Sequence, residues 1–225
     1  MQLGLVPYRE ALDLQRGLAD AVSQGAIPDT VLFLEHPPVI TLGRRAQPGE
    51  LHVPPGADVE ICETDRGGKS TYHAPGQLVC YPILDLARHG PDVQEYCRDL
   101  EEALIQTMRP LGLDATRIEG LTGIWLERSP RKIASIGVHI SKWITTHGYA
   151  LNVDLDTAPF TEWITACGLE NASFTTIARE VGRPVSVEEI RPLAAEAFAG
   201  VFDLEFEEQP GDEAGGLQPV HATLA

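Results

Sequence analysis

The feature that most constrains this chain is the segment 91–111. Val93, Tyr96, Cys97, Leu100, Leu104, Met108 and Leu111 recur there at helical spacing, and Pro91 and Asp92 suit a first turn. A helix with one apolar stripe must bury it against another layer, and both flanks supply short strand-like runs. On the N-terminal side, 29–36 is apolar and β-prone, Pro37 and Pro38 break it, and Val39-Ile40-Thr41-Leu42 resumes the pattern. Residues 59–63 alternate as a strand does, whereas 43–55 are rich in Gly, Pro and polar residues and read as a loop. On the C-terminal side, 123–127, 132–140 and 148–153 read as strands. Two further helices are expected. Residues 8–24 carry Ala11, Leu14, Leu18 and Val22 on one face. Ser186 with Glu189 forms a capping box that opens a helix to about Gly200, buried through Ile190, Leu193, Ala197 and Val201. A strand over 202–206 follows. The order predicts an α/β domain of mixed α+β type, and the stripe position of Cys97 predicts core packing.

At 225 residues the chain is long enough for one domain with its own core. We expect that domain over 1–208, with the Gly-, Asp- and Glu-rich stretch 209–225 as a disordered acidic tail. Seventeen basic against 33 acidic residues give a net charge of −16, which argues against nucleic-acid binding. Apolar runs such as 77–84 are far short of the ~18–20 residues that cross a bilayer, so no membrane association is expected. The first residues lack the basic start of a secretory signal, and a cytoplasmic location follows as an expectation. Cysteines at 62, 80, 97 and 167 form no C-x-x-C pair, and the seven histidines form no metal-ligand pattern. No metal site is expected.

Three stretches can carry chemistry. Arg66-Gly67-Gly68-Lys69-Ser70-Thr71-Tyr72-His73-Ala74-Pro75-Gly76-Gln77 is a polar, glycine-rich loop between two strand candidates. Its glycines let backbone amides approach a ligand, and its Arg, Thr and His supply donors. A nucleotide P-loop is excluded, because Glu63 stands where the first glycine belongs and a strand follows instead of a helix. An ordinary hairpin turn is the alternative. The second stretch, 132–138, opens a small-residue strand with Lys132. Such a lysine usually marks a strand end with its amine in solvent, since burying an ammonium is costly. The third, Thr165-Ala166-Cys167-Gly168-Leu169, places Cys167 outside any periodic apolar pattern. A lone cysteine is more often inert, so residue chemistry makes Cys167 only the best nucleophile candidate of the four.

Taken in order, these stretches resemble the octanoyltransferases of protein lipoylation, in the biotin/lipoate ligase superfamily. The resemblance is carried by LEHPPVITLGR at 34–44, RGGKSTYHAPGQLVCYPI at 66–83, GIW at 123–125, KIASIGVHISKWITTHGYALNV at 132–153 and ACGL at 166–169. Ala74 and Ala166 stand where that family usually has Gly and Pro. The resemblance implies a biotin/lipoate protein ligase-like catalytic domain, a mixed sheet flanked by helices. It also implies transfer of an octanoyl group from octanoyl-acyl carrier protein, through a cysteine thioester, to a lysine of apo lipoyl domains. Those acceptors are the E2 subunits of 2-oxoacid dehydrogenases and the glycine cleavage H protein. Carried over by motif, Cys167 is the nucleophile and Lys132 its partner, with no cofactor. The acyl pocket implied is lined by Arg66, Gly67, Gly68, Lys69, Ser70, Thr71, Tyr72 and His73, by Ser135, Ile136 and Gly137, and by Gly148, Tyr149 and Ala150. Small residues at Ala134, Gly137, Gly148 and Ala150 are expected to leave room for the chain. The competing readings are an ATP-dependent lipoate ligase, which needs no catalytic cysteine, a cysteine hydrolase pairing Cys167 with His73 or His147, and a non-enzymatic acyl-carrier-binding module.

Overall fold

A computed structural model describes residues 1–127, 131–165, 173–207 and 221–224. The chain opens with strand β1 (Gln2–Leu5), helix α1 (Tyr8–Ser23), β2 (Asp29–Glu35) and β3 (Val39–Leu42). There follow β4 (Glu60–Glu63), β5 (Ser70–His73), β6 (Gln77–Ile83), the short α2 (Leu86–His89) and α3 (Val93–Met108). Four strands come next: β7 (Ala115–Ile118), β8 (Leu121–Leu126), β9 (Arg131–Ser141) and β10 (Ile144–Asn152). The remainder is α4 (Pro159–Glu162), β11 (Ser173–Phe174), α5 (Ile177–Val181), α6 (Val187–Phe202), β12 (Leu204–Glu207) and β13 (His221–Leu224).

The large sheet runs β12-β13-β2-β6-β10-β9-β8-β7, all neighbours antiparallel, with β1 parallel to β2 and β11 parallel to β9. A smaller sheet, β4-β3-β5, stands beside it. The parallel pairs make the sheet mixed, as expected. One face packs on α3 and α6 through Leu78, Leu104, Ile124, Leu151 and Phe198. The other packs on α1 through Leu32, Val79, Tyr81, Ala11 and Leu18. Asp92 caps α3 by accepting from the Gln94 and Glu95 amides, and Ser186 caps α6 by accepting from Glu189 N.

Several elements depart from the sequence reading. Ser70–His73, expected within a loop, is a strand, because its backbone pairs with Leu42–Val39 across a partner the local pattern does not reveal. Cys97 is half-buried instead of packed in the core. Within the stretch expected to be a disordered tail, the backbone of His221–Leu224 runs between β12 and β2. Ala74 packs beside Tyr72 and Phe160, and its φ is not among the positive values of the described residues, so alanine fits there.

A buried polar ladder crosses the two sheets. Gln77 Nε2 donates to Asn152 Oδ1 at 2.9 Å and to Tyr72 O at 3.3 Å, and Asn152 Nδ2 donates to Thr175 O at 3.1 Å. Thr175 N donates to Lys132 O at 3.0 Å. Next to it Arg131 makes a two-pronged ion pair with Glu180, at 3.1 and 2.7 Å. These bonds fix the backbone at the start of β9.

Candidate active site

A cavity of about 380 Å³ lies along β9 and β10. At one end are Gly120, Leu121, Thr122, Trp125, Cys97 and Lys132; at the other are Tyr8, His73, Tyr81, His147 and Val138. His147 pairs with Val138, six residues along β9 from Lys132, so the two ends stand about 20 Å apart along the strand. The loop Arg66–Ser70 with Thr71 forms one wall, and Ser135, Ile136, Gly137, Gly148, Tyr149 and Ala150 form the sheet side.

Lys132 is 2% exposed, against the expectation of a solvated strand end. Its Nζ donates to Thr122 O at 2.8 Å and lies 5.5 Å from the centre of the Trp125 ring. A register shift makes this possible: Ile124 pairs with Ala134 but Trp125 with Lys132, a bulge that turns Lys132 to the cavity while Ile133 stays in the core. Gly123 makes room for it. With φ +105°, a Cβ there would come within 2.7 Å of Lys132 Cε and 2.4 Å of Ala134 O.

The glycines of the cavity wall also meet a packing constraint. A Cβ on Gly148 would meet Cys80 O at 2.2 Å, and one on Gly137 would meet Gly67 O at 3.1 Å. These positions accommodate protein backbone, so the narrow side chains serve close packing of strand and loop. Gly67 N donates to Val138 O at 2.8 Å, which lays the loop on β9. Arg66 holds the loop from beneath, its guanidinium donating to Thr41 Oγ1 at 2.8 and 3.1 Å, Thr41 O at 2.6 Å and Gly67 O at 2.9 Å. Lys69 is paired with Glu50.

Of the residues expected at the site, the structure brings all but Tyr72, Ala134 and Cys167 to this cavity, and Ala134 is packed in the core instead. Tyr72 does not line it. Neighbouring residues of a strand point to opposite faces, and Tyr72 packs edge-on against Phe160 and Trp163, with ring centres 5.7 and 5.9 Å away. Cys167 lies outside the described residues. The sequence reading missed Tyr8, Tyr81, Trp125 and Gly123. Gly123 stood within the GIW segment, but Tyr8 arrives from a helix that carries no local chemical signal.

The inner end of the cavity is a cluster of rings whose protonation follows from their partners. His36 Nδ1 bonds Val6 O at 2.7 Å, so it carries the proton and Nε2 accepts from Tyr81 OH at 2.8 Å. His73 Nδ1 donates to Gln77 Oε1 at 2.7 Å. His147 Nε2 donates to Asp65 Oδ1 at 2.8 Å, which leaves Nδ1 facing Tyr8 OH at 3.5 Å. Burial holds His36 down to about 4 and pushes His73 and His147 below the ordinary histidine value. The hydrogen bond from His147 is the main cause that lowers Asp65.

In fold, the molecule is a lipoate-ligase-type catalytic domain. It superposes with a TM-score of 0.71 on the bi-partite lipoate protein ligase of Thermoplasma acidophilum, covering 94% of this chain and 86% of that one at 18% identity. The chain belongs to the lipoyl protein ligase A/B catalytic domain family, whose model matches residues 7–199. It is 47% identical over 222 residues to an octanoyltransferase of Mycobacterium marinum, covering 93% of this chain and 91% of the relative. An octanoyltransferase of Geobacter sulfurreducens is 45% identical over 224 residues, covering 99% and 93%.

Two predictions follow from this geometry. Gly123→Ala must displace Lys132 or Ala134, and we expect transferase kcat to fall at least tenfold with KM nearly unchanged, measured on protein whose melting curve shows it folded. Separately, an unfolded histidine protonates near 6.5, whereas native His36 stays neutral to about 4. The unfolded state therefore binds more protons in that window, so stability falls as pH drops from 6.5 towards 4. His36 alone accounts for about 3 kcal/mol by the lower end. Urea midpoints across this range test it, and a flat profile contradicts it.

Proposed function

We propose that this chain is an octanoyltransferase of protein lipoylation, working through Cys167 and Lys132. The observation that carries the reading is a buried lysine in the wall of a cavity, on a chain whose sequence supplies a cysteine where its resemblance to the octanoyltransferases implies one. Strand β11 lies six residues beyond Cys167 in the sequence, and its Ser173 pairs with Arg131 and Phe174 with Lys132, which supports a partnership between Cys167 and Lys132.

The chemistry proceeds in two balanced steps. The Cys167 thiolate attacks the carbonyl of octanoyl-acyl carrier protein; a new C–S bond forms, the carrier's C–S bond breaks, and the carrier leaves as its thiol after taking a proton from the Lys132 ammonium, which becomes the neutral amine. A lysine amine of an apo lipoyl domain then attacks the enzyme thioester. A C–N bond forms, the Cys167 C–S bond breaks, and the neutral Lys132 amine takes the proton lost by the attacking amine, which restores the thiolate and ammonium. One thioester replaces another at little cost and aminolysis runs downhill, so no nucleotide or metal is required. The ammonium of Lys132 favours the thiolate. We take residues 1–208, with β13 completing their sheet, as the catalytic domain, with Arg66–Thr71 and His73, Ser135–Gly137 and Gly148–Ala150 bordering the acyl site. The acceptors are E2 lipoyl domains and the glycine cleavage H protein, met in the cytoplasm. No described helix is long and apolar enough to cross a membrane.

Intact mass after mixing with octanoyl-acyl carrier protein should show one octanoyl adduct, removed by hydroxylamine and lost in Cys167→Ser. In Lys132→Met, transfer should collapse and the alkylation midpoint of Cys167 should rise from a wild-type value below about 8.5. An adduct on Cys97, which also borders the cavity, would overturn the assignment.

The acidic carrier must approach a protein that is itself acidic. Arg44 and Arg45 are exposed, sit on a turn stapled to the glycine loop by backbone bonds at 3.0–3.2 Å, and pair with no carboxylate among the described residues. Of the basic candidates in or beside the site loops, Arg44, Arg45, Arg66, Arg128 and Arg131, Arg131 is occupied by Glu180, Arg66 is buried and Arg128 lies outside the described residues, so we assign the docking patch to Arg44 and Arg45. Raising salt should increase KM for the carrier-bound donor but hardly for octanoyl-pantetheine, because charge attraction is screened over about 8 Å at physiological strength. Paired Arg44→Glu and Arg45→Glu substitutions should do the same. Equal losses with both donors would assign these arginines to the fold.

A further inference from the structure

Residues 50–52 and 163–165 lie side by side as a short antiparallel ladder outside the named strands. Leu51 bridges Ile164, His52 N donates to Trp163 O at 2.7 Å, and Thr165 N donates to Glu50 O at 2.9 Å. Leu51, Trp163 and Ile164 pack with Tyr72 and Phe160 in one apolar cluster. Thr165 stands two residues before Cys167 in the sequence, so the ladder fixes the chain within ~7 Å of the proposed nucleophile's backbone.

The ladder is tied in turn to the glycine loop by one ion pair. Glu50 is 6% exposed; its carboxylate pairs with the Lys69 ammonium, and its Oε2 accepts from Gln47 N at 3.0 Å. Lys69 lines the cavity, and its carbonyl accepts from Gly43 N at 3.2 Å. Glu50 therefore makes two attachments. Its backbone oxygen holds the strand that leads to Cys167, and its side chain holds the cavity wall. A carboxylate withdrawn from water is tolerated only with its partner in place, so the pair has one satisfied arrangement, and that arrangement fixes the spacing of ladder and loop. On the far side of Cys167 in the sequence, Ser173 and Phe174 pair with Arg131 and Lys132, so described residues on both flanks are tethered to the site. Reacting groups need such tethering, because a misplacement of about 1 Å can cost ~100-fold in rate.

We propose that Glu50 is a positioning residue for acyl transfer: through its ion pair with Lys69 it holds the chain leading to Cys167 in register with the cavity wall. The inference rests on the reading of Cys167 as the nucleophile. Because the pair carries no net charge, its contribution is geometry and not field.

The test measures transfer from octanoyl-pantetheine to an apo lipoyl domain for the wild type, Glu50→Gln, Lys69→Met and the double variant, each shown folded by its melting curve. Glu50→Gln should lower kcat at least tenfold and keep KM within twofold, since lost register slows the reaction without emptying the acyl site. Lys69→Met should also lower kcat at least tenfold, and the double variant should lose no more than the worse single variant, because the two side chains act as one unit. A merely structural glutamate would lower the melting temperature and leave kcat unchanged, and that result overturns the proposal. So does a kcat that falls in Lys69→Met but not in Glu50→Gln, which would show that the field of an unpaired carboxylate is at work. Hydrogen exchange at the Thr165 amide gives an arm that needs no turnover. Its rate should rise at least tenfold in Glu50→Gln, and an unchanged rate also overturns the proposal. If exchange accelerates while the wild type forms no octanoyl adduct on Cys167, the tether stands and the nucleophile reading fails.

Discussion

The rest of the site depends on keeping one ammonium out of water. An isolated buried charge is costly, and this sheet meets the cost with short-range bonds instead of solvent. The bulge between β8 and β9 turns Lys132 inward, Gly123 yields the space its methylenes occupy, Thr122 O accepts its proton, and the Trp125 ring faces its charge. Behind it, Thr175 N holds the Lys132 carbonyl and Arg131 is clamped to Glu180. The lysine is thus positioned by its own backbone neighbours and by two segments far away in sequence. A group fixed in this way pays little ordering entropy when it meets a reactant, which suits the proton-transfer role proposed for Lys132.

The opposite end of the cavity solves a different problem. Four histidines and tyrosines surround a site suited to hydrocarbon, and burial keeps His73 and His147 neutral. Arg66 brings positive charge close to them, and its guanidinium is spent on Thr41 and Gly67 carbonyl and hydroxyl oxygens. The polar atoms therefore knit the small sheet, the glycine loop and the large sheet together. Polar residues here define shape, because a satisfied hydrogen bond resists displacement better than an aliphatic contact does.

Charge is distributed with the same logic. Although the chain carries 33 acidic residues, the described residues lining the cavity include Arg45, Arg66, Lys69 and Lys132 and no Asp or Glu. Glu50 neutralises Lys69, and Asp65 faces His147 from outside the lining. The acidic side chains behind the net charge of −16 thus lie outside the described cavity lining.

The sequence by itself determined the helices, most of the strands and the chemical inventory. The stripes at Ala11, Leu18 and Val22 and at Leu100, Leu104 and Met108 became the two layers that cover the sheet, because periodicity reports a buried face directly. The motif order also marked Lys132 and the glycine loop. Tertiary structure alone decided that Lys132 is buried, since its bulge and its glycine neighbour belong to a different strand. It decided that Tyr72 faces away from the cavity, and that Gly137 and Gly148 serve close backbone approach. It also brought Tyr8 from the first helix against Tyr81 and His147. Local sequence carries the period of an element, but contacts between distant segments depend on register and packing, which no window of residues contains.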